Sequence, residues 1–158
     1  MPTRLGEILV DQGVLREEQV EAILEAQQAC ARPFGVLAEE LFGICPEAIE
    51  RAWVRQYIEI AQHVDVLTVP RDPGIGAMVS SRQCWQFGVF PIREEGRELV
   101  MATTPGHLPR ALRFASSVLE RPCYFVLTAQ DALARALEEH HAIPGLDATH
   151  LASTALAA

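Results

Sequence analysis

The residues able to do chemistry in this chain are its cysteines, histidines, carboxylates and arginines, and their spacing excludes most reactions. Cys30, Cys45, Cys84 and Cys123 are widely separated and form no C-x-x-C pair. They offer neither a disulfide framework nor a zinc site and are expected as small, buried or half-buried, reduced thiols. His140 and His141 stand together where a helix should end, a position that favours cations. His63 and His107 fall at element ends and read as surface or capping residues. No G-x-x-x-x-G-K-[ST] loop is present to cradle a nucleotide phosphate, nor a G-x-S-x-G or H-E-x-x-H. Carboxylates are plentiful, but the sequence places none in a cleft. The expectation is a non-enzymatic protein with no catalytic residue, metal or cofactor. What remains is a loose group of arginines, Arg4, Arg32, Arg51 and Arg55.

Those arginines lie in a repeat. Arg4-Leu5-Gly6-Glu7-Ile8-Leu9 returns 29 residues later as Pro33-Phe34-Gly35-Val36-Leu37-Ala38. The offset persists: Val20 meets Ile49, Glu21 meets Glu50, Leu24 meets Trp53 and Gln27 meets Gln56. Each copy has 24 residues, and a five-residue spacer, Gln28 to Arg32, separates them. A fixed period names a structural unit, here a short helix, a turn and a longer helix. Leu5, Ile8 and Leu9 predict a helix over 4–12, ended by Gly13. Acids at 17 and 18 open the next helix at its positive end, with Val20, Ile23, Leu24 and Gln27 as the inward stripe. In copy two, Phe34, Leu37, Ala38, Leu41 and Phe42 form a face. Pro46 starts the fourth helix, which Ile49, Ala52, Trp53, Gln56 and Tyr57 carry to about residue 62. Helices this short must pack together to bury their stripes.

Beyond His63 the period changes. Residues 64–69 read as a strand. A helical turn is expected over 75–79, then a helix capped by Ser80 and running to Phe87. Strands over 89–92 and 98–102 flank the turn at 94–97 as a hairpin. An amphipathic helix follows at 108–119, a third strand at 123–127, and a helix to His141 opened by the box-like Thr128-Ala129-Gln130-Asp131. From Ala142 the composition predicts a mobile tail. The fold class is therefore α+β. A four-short-helix subdomain over 1–62 precedes a small mixed sheet with flanking helices over 63–141, and a tail follows over 142–158. Apolar residues make up 49% of the chain, so a core can be buried. A net charge of −8 opposes nucleic-acid binding. No apolar run is long enough to span a membrane, and the start lacks a secretory pattern. A cytoplasmic location is expected.

The repeat resembles the tandem 24-residue motifs in the N-terminal domain of type II secretion and type IV pilus assembly ATPases. Their pattern is roughly Arg-Leu-Gly-x-x-Leu-Val-x-x-Gly-x-Leu, then Gln-Leu, then a closing Gln. Copy one keeps Arg4, Leu5, Gly6, Leu9, Val10, Gly13, Leu15, Gln19, Val20, Leu24 and Gln27. The likeness extends more loosely to about residue 141, without the ATPase domains. Some members of that family bind cyclic di-GMP on the paired motifs. The resemblance therefore implies candidate ligand residues Arg4, Leu5, Gly6, Leu9, Val10 and Gln27 in copy one, and Phe34, Gly35, Leu37 and Gln56 in copy two. Such chemistry is coherent: glycine lets backbone approach, leucines offer flat apolar contact, and arginine gives a planar donor fork for phosphate or guanine.

Copy two departs from the pattern. Pro33 removes the fork, for which Arg32 is the candidate replacement. Ala38 shortens the apolar contact, Glu39 sets a carboxylate at the Val10 position, and Phe42 replaces the glycine. The resemblance implies a regulatory or docking module that couples a protein partner or signal to a secretion- or pilus-type membrane complex. The alternative it implies is a cyclic di-GMP receptor. A receptor should line an open groove with Arg4 and the copy-one leucines. A docking module should bury those leucines and expose apolar side chains elsewhere.

Overall fold

The computed structural model describes residues 4–119 and 121–155. The chain divides into two units, Met1–Ile60 and Ala61–Ala158. Among the described residues there are eight α-helices and three strands, the α+β class expected.

The first unit contains α1 (Leu5–Asp11), α2 (Glu17–Ala29), α3 (Phe34–Phe42) and α4 (Pro46–Ile60). An arginine precedes both α1 and α2, and it has no acceptor with which to cap the helix. The third helical residue reaches back instead. Glu7 Oε2 accepts from the Arg4 backbone N–H at 3.0 Å, and Gln19 Oε1 from that of Arg16 at 2.8 Å. This is half of a capping box. The two copies interlock: α1 packs against α4, and α2 against α3. Their core is Ile8, Leu9, Leu15, Ile23, Leu37, Ala38 and Ala52. Most of it comes in pairs at the repeat offset, Ile8 with Leu37, Leu9 with Ala38, and Ile23 with Ala52.

Three residues expected to face inward do not. Leu24 is 45% exposed, Trp53 44% and Leu41 50%. Leu24 and Trp53 each follow a core position, Ile23 and Ala52, and a step of one residue turns the side chain by about 100°. Leu41 lies near the end of α3. The short partner helices cover only a narrow stripe. Copy two also solves its turn differently. Gly13 takes the left-handed turn after α1 at φ 73°, whereas α3 continues through Phe42 and Gly43 turns at φ 64°. Phe42 thus extends a helix and packs on the core.

The second unit holds a 3-10 turn (Ile75–Met78), α5 (Ser81–Phe87), β1 (Phe90–Glu95), β2 (Glu98–Thr103), α6 (Leu108–Ser117), β3 (Cys123–Leu127), α7 (Gln130–His140) and α8 (Ala148–Thr154). Ser80 caps α5 as expected: its Oγ accepts from the Gln83 N–H at 3.1 Å, and Gln83 Oε1 accepts from the Ser80 N–H at 3.2 Å. The sheet order is β1-β2-β3. The hairpin pair is antiparallel from Phe90↔Ala102 to Glu95↔Glu98, with an irregularity between Pro91 and Arg93, where proline lacks a donor. The pair β2–β3 is parallel, Leu99↔Cys123 through Thr103↔Leu127. Trp85, Phe90, Phe114 and Phe125 are the largest buried side chains of this unit.

Local turn chemistry overrides three expectations here. Residues 64–69 form no strand, only an isolated parallel bridge from His63 to Leu127. Asp65 folds the run back on itself. Its Oδ1 accepts from the Leu67 N–H at 3.0 Å, and its carbonyl from Thr68 and Val69 at 3.1 and 3.0 Å. A side chain that bonds its own backbone competes with the sheet ladder. Thr128 does not cap α7. Ala129 holds that position, and Thr128 Oγ1 accepts from the Val66 N–H at 3.4 Å. Finally, the stretch from Ala142 is not a bare tail. Asp147 Oδ1 accepts from Thr149 and His150 N–H at 3.0 and 3.3 Å, starting α8, which packs on α7 and buries Leu151 completely. Positions 1–3 of the first expected domain and 156–158 of the expected tail lie outside the described residues.

Candidate functional site

Gly6 and Gly35, the equivalent glycines of the two copies, are packing residues. A Cβ on Gly6 would stand 2.9 Å from Val20 Cγ1 and 3.2 Å from Phe34 Cζ. A Cβ on Gly35 would stand 2.7 Å from Ile49 Cγ2. Gly35 and Ile49 are the repeat equivalents of Gly6 and Val20, so the same helix-to-helix approach is built twice. Leu9 and Leu37 are buried, and Leu5, Val10 and Phe34 pack half-buried against the same core. Gln27 Nε2 donates to the Arg32 carbonyl at 3.0 Å and so ties down the spacer. Gln56 is half-buried on α4, and Arg4 stands exposed at the start of α1. Arg32 does not offer a free fork: its guanidinium makes a two-point ion pair with Glu40, which raises its pKa.

A groove of about 450 Å³ opens between α1 and α2. Gly6, Val10 and Val20 form its apolar floor, and Glu7, Asp11, Glu17 and Glu21 stand around it. Of the sequence-predicted residues, only Gly6 and Val10 line it. Glu7 holds the Arg4 backbone, and Asp11 Oδ2 accepts from Arg55 NH1 at 3.0 Å. Glu17 and Glu21 have no hydrogen bond or ion pair among the described residues, and both are exposed. The groove is therefore negative. The carboxylates were legible as i,i+4 pairs, Glu7 with Asp11 and Glu17 with Glu21, each on one helix face. Copy two repeats this lining only in part: Val36, Glu39 and Pro46 replace Glu7, Val10 and Glu17, while Glu40 and Glu50 keep the acids of Asp11 and Glu21. Apolar side chains exposed on this unit are Leu24, Val36, Leu41, Trp53 and Ile60. Leu24 and Trp53 are repeat equivalents, and Trp53 meets Tyr57 edge-on at 6.3 Å.

In the second unit, polar chemistry serves the fold. His107 is a wholly buried strut, where a surface or cap role was expected. Its Nε2 lies 3.0 Å from the Leu151 carbonyl and 3.1 Å from Thr154 Oγ1, and its Nδ1 lies 2.7 Å from Thr104 Oγ1. A carbonyl only accepts, so Nε2 carries the proton and Nδ1 accepts from the Thr104 hydroxyl. Burial lowers the His107 pKa. His141 is also buried, beside Ser81 Oγ at 3.1 Å, and burial, then the charge of Arg71, lowers its pKa. Burial pushes the Cys84 thiol up to about 12, which leaves it unreactive. Cys30 and Cys45 are exposed, not buried as expected, because each sits at an outer helix boundary. Among the described residues no three metal-ligating side chains gather, and no helix is long and apolar enough to cross a membrane.

Comparison with known proteins places this architecture. No curated protein matches the chain. Among solved structures, MshE with cdg is 19% identical, the alignment covering 87% of this chain and 99% of that one at a TM-score of 0.48. The N-terminal domain of XpsE is 17% identical, covering 87% of this chain and 97% of that one at a TM-score of 0.43. Residues 59–145, more than half of the chain, match the MshEN domain. The matched stretch takes in the end of α4 and the second unit as far as residue 145, and it lies wholly outside the repeat that suggested the resemblance. The chain belongs to the MshEN domain family.

Proposed function

We propose that this chain is a non-enzymatic docking and regulatory module that couples a protein partner or signal to a secretion- or pilus-type membrane complex, from the cytoplasmic side. The observation that carries the reading is the exposure of Leu24 and Trp53 at equivalent positions, while Gly6, Leu9, Gly35 and Leu37 are consumed in packing. Exposed aromatic and aliphatic anchors are the usual energetic centre of a protein interface. The helical unit is the docking half.

The competing reading is a cyclic di-GMP receptor on the repeat, suggested by MshE, which is solved with cdg. Charge disfavours it here. A carboxylate about 8 Å from a phosphate costs about 0.5–2 kcal/mol, depending on screening. Four carboxylates border this groove, and of these Asp11 is paired with an arginine. Exposed Arg4 is the residue that favours the receptor.

The docking reading is tested by titrating the full chain with cytoplasmic domains of secretion- or pilus-complex membrane proteins. Binding should shift the emission of Trp53, since Trp85 is buried. Trp53→Ala should weaken binding at least about tenfold, about 1.4 kcal/mol, with an unchanged circular dichroism spectrum. Affinity unaltered by Trp53→Ala and by Leu24→Ser would overturn it.

A further inference from the structure

We propose that the groove between α1 and α2 takes a basic amphipathic segment of a protein partner. Apolar side chains of the segment would enter against Gly6, Val10 and Val20, and lysine or arginine heads would meet Glu17 and Glu21. The inference rests on the docking reading and names the partner's chemistry at one face.

Charge complementarity and shape carry it together. The floor is apolar and recessed because Gly6 lacks a side chain and Val20 closes onto it. The rim is acidic on both walls, from α1 and from α2. Asp11 shows what the rim accepts: it already receives a guanidinium, that of Arg55, at 3.0 Å. Glu17 and Glu21 are a turn apart on α2, so their spacing fits cationic heads a turn apart on a helical segment. An anionic ligand would meet four carboxylates, and a wholly apolar one would leave them facing it without partners. The full lining belongs to copy one: copy two keeps acids at Glu40, held by Arg32, and Glu50, but carries Val36 and Pro46 at the Glu7 and Glu17 positions and a charged Glu39 where the apolar floor has Val10. One segment per chain is the expected stoichiometry.

The test is fluorescence anisotropy of the full chain with a short labelled leucine–lysine amphipathic peptide at low ionic strength. Saturable binding at one peptide per chain is expected, weakened by added salt. Glu17→Gln/Glu21→Gln should weaken it about tenfold. Glu18→Gln/Glu47→Gln removes the same net charge from exposed residues outside the groove and should leave the affinity unchanged. A peptide with its leucines replaced by serine should bind at least about tenfold more weakly, an arm that needs no protein variant. The proposal is overturned by equal losses in both double variants, by equal binding of the serine peptide, or by no binding at all. Failure here with Trp53-dependent partner binding intact would sink this inference and leave the docking reading standing.

Discussion

Leu9 and Ala38 hold the same position in the two copies of the repeat, and both are wholly buried although they differ by three carbons. Eleven positions further on, Val20 and Ile49 press on Gly6 and Gly35 in turn. The outward positions behave differently. Glu7 becomes Val36, Val10 becomes Glu39 and Glu17 becomes Pro46. The interior of the repeat thus keeps its plan while its surface has diverged, and copy two keeps only two of the four groove acids, at Glu40 and Glu50. Because α1 packs on α4 and α2 on α3, each copy fills space left by the other, so a smaller side chain in one can be matched across the interface.

The largest expected effect removes that asymmetry. Leu9→Ala would place alanine at both equivalent core positions, and it should destabilise the chain by about 2–5 kcal/mol, measured by chemical denaturation. A loss below about 1 kcal/mol would mean that the interlocked core collapses around the cavity. Gly35→Ala should cost about 1–3 kcal/mol, because Cβ must displace the branched Ile49 at 2.7 Å. Gly6→Ala should cost less, its tightest neighbour being 2.9 Å away. The reverse order would break the equivalence drawn between the two glycines.

A smaller effect separates the two units. All five histidines, His63, His107, His140, His141 and His150, lie in Ala61–Ala158. Burial lowers the pKa of His107 and His141 below the ordinary value of about 6.5. The unfolded chain then binds protons that the folded unit refuses, so this stability is full above about pH 6.5 and falls as pH drops through that value toward the folded-state pKa values. Hydrogen exchange, corrected for its intrinsic pH dependence, should show α6 and α8 losing protection on acidification ahead of α1–α4. Equal loss across both units would contradict the role given to the buried histidines.

Much of this was legible in the chain. The hairpin and the third strand follow from β-rich runs around a glycine turn, and Ser80 capped the helix it was expected to cap. The repeat offset foretold which positions pair in the core. What escaped was decided by local bonds or by covering surface. Asp65 turned a β-branched run, Asp147 and Leu151 built a helix among small residues, and short partners left Leu24 and Trp53 outside. The resemblance pointed to Gly6 and Val10, which line the groove, and to Leu9 and Leu37, which do not. Motif positions alone do not separate packing from binding, since both favour glycine and leucine.

The most direct measurement is calorimetric titration of the full chain with cyclic di-GMP, with GTP as control. The account predicts no saturable heat up to about a millimolar, because Leu9 and Leu37 are buried in the core and the groove that Gly6 and Val10 line is negative. Saturable binding at about a micromolar, specific to the cyclic dinucleotide and abolished by Arg4→Ala without loss of folding, would contradict it.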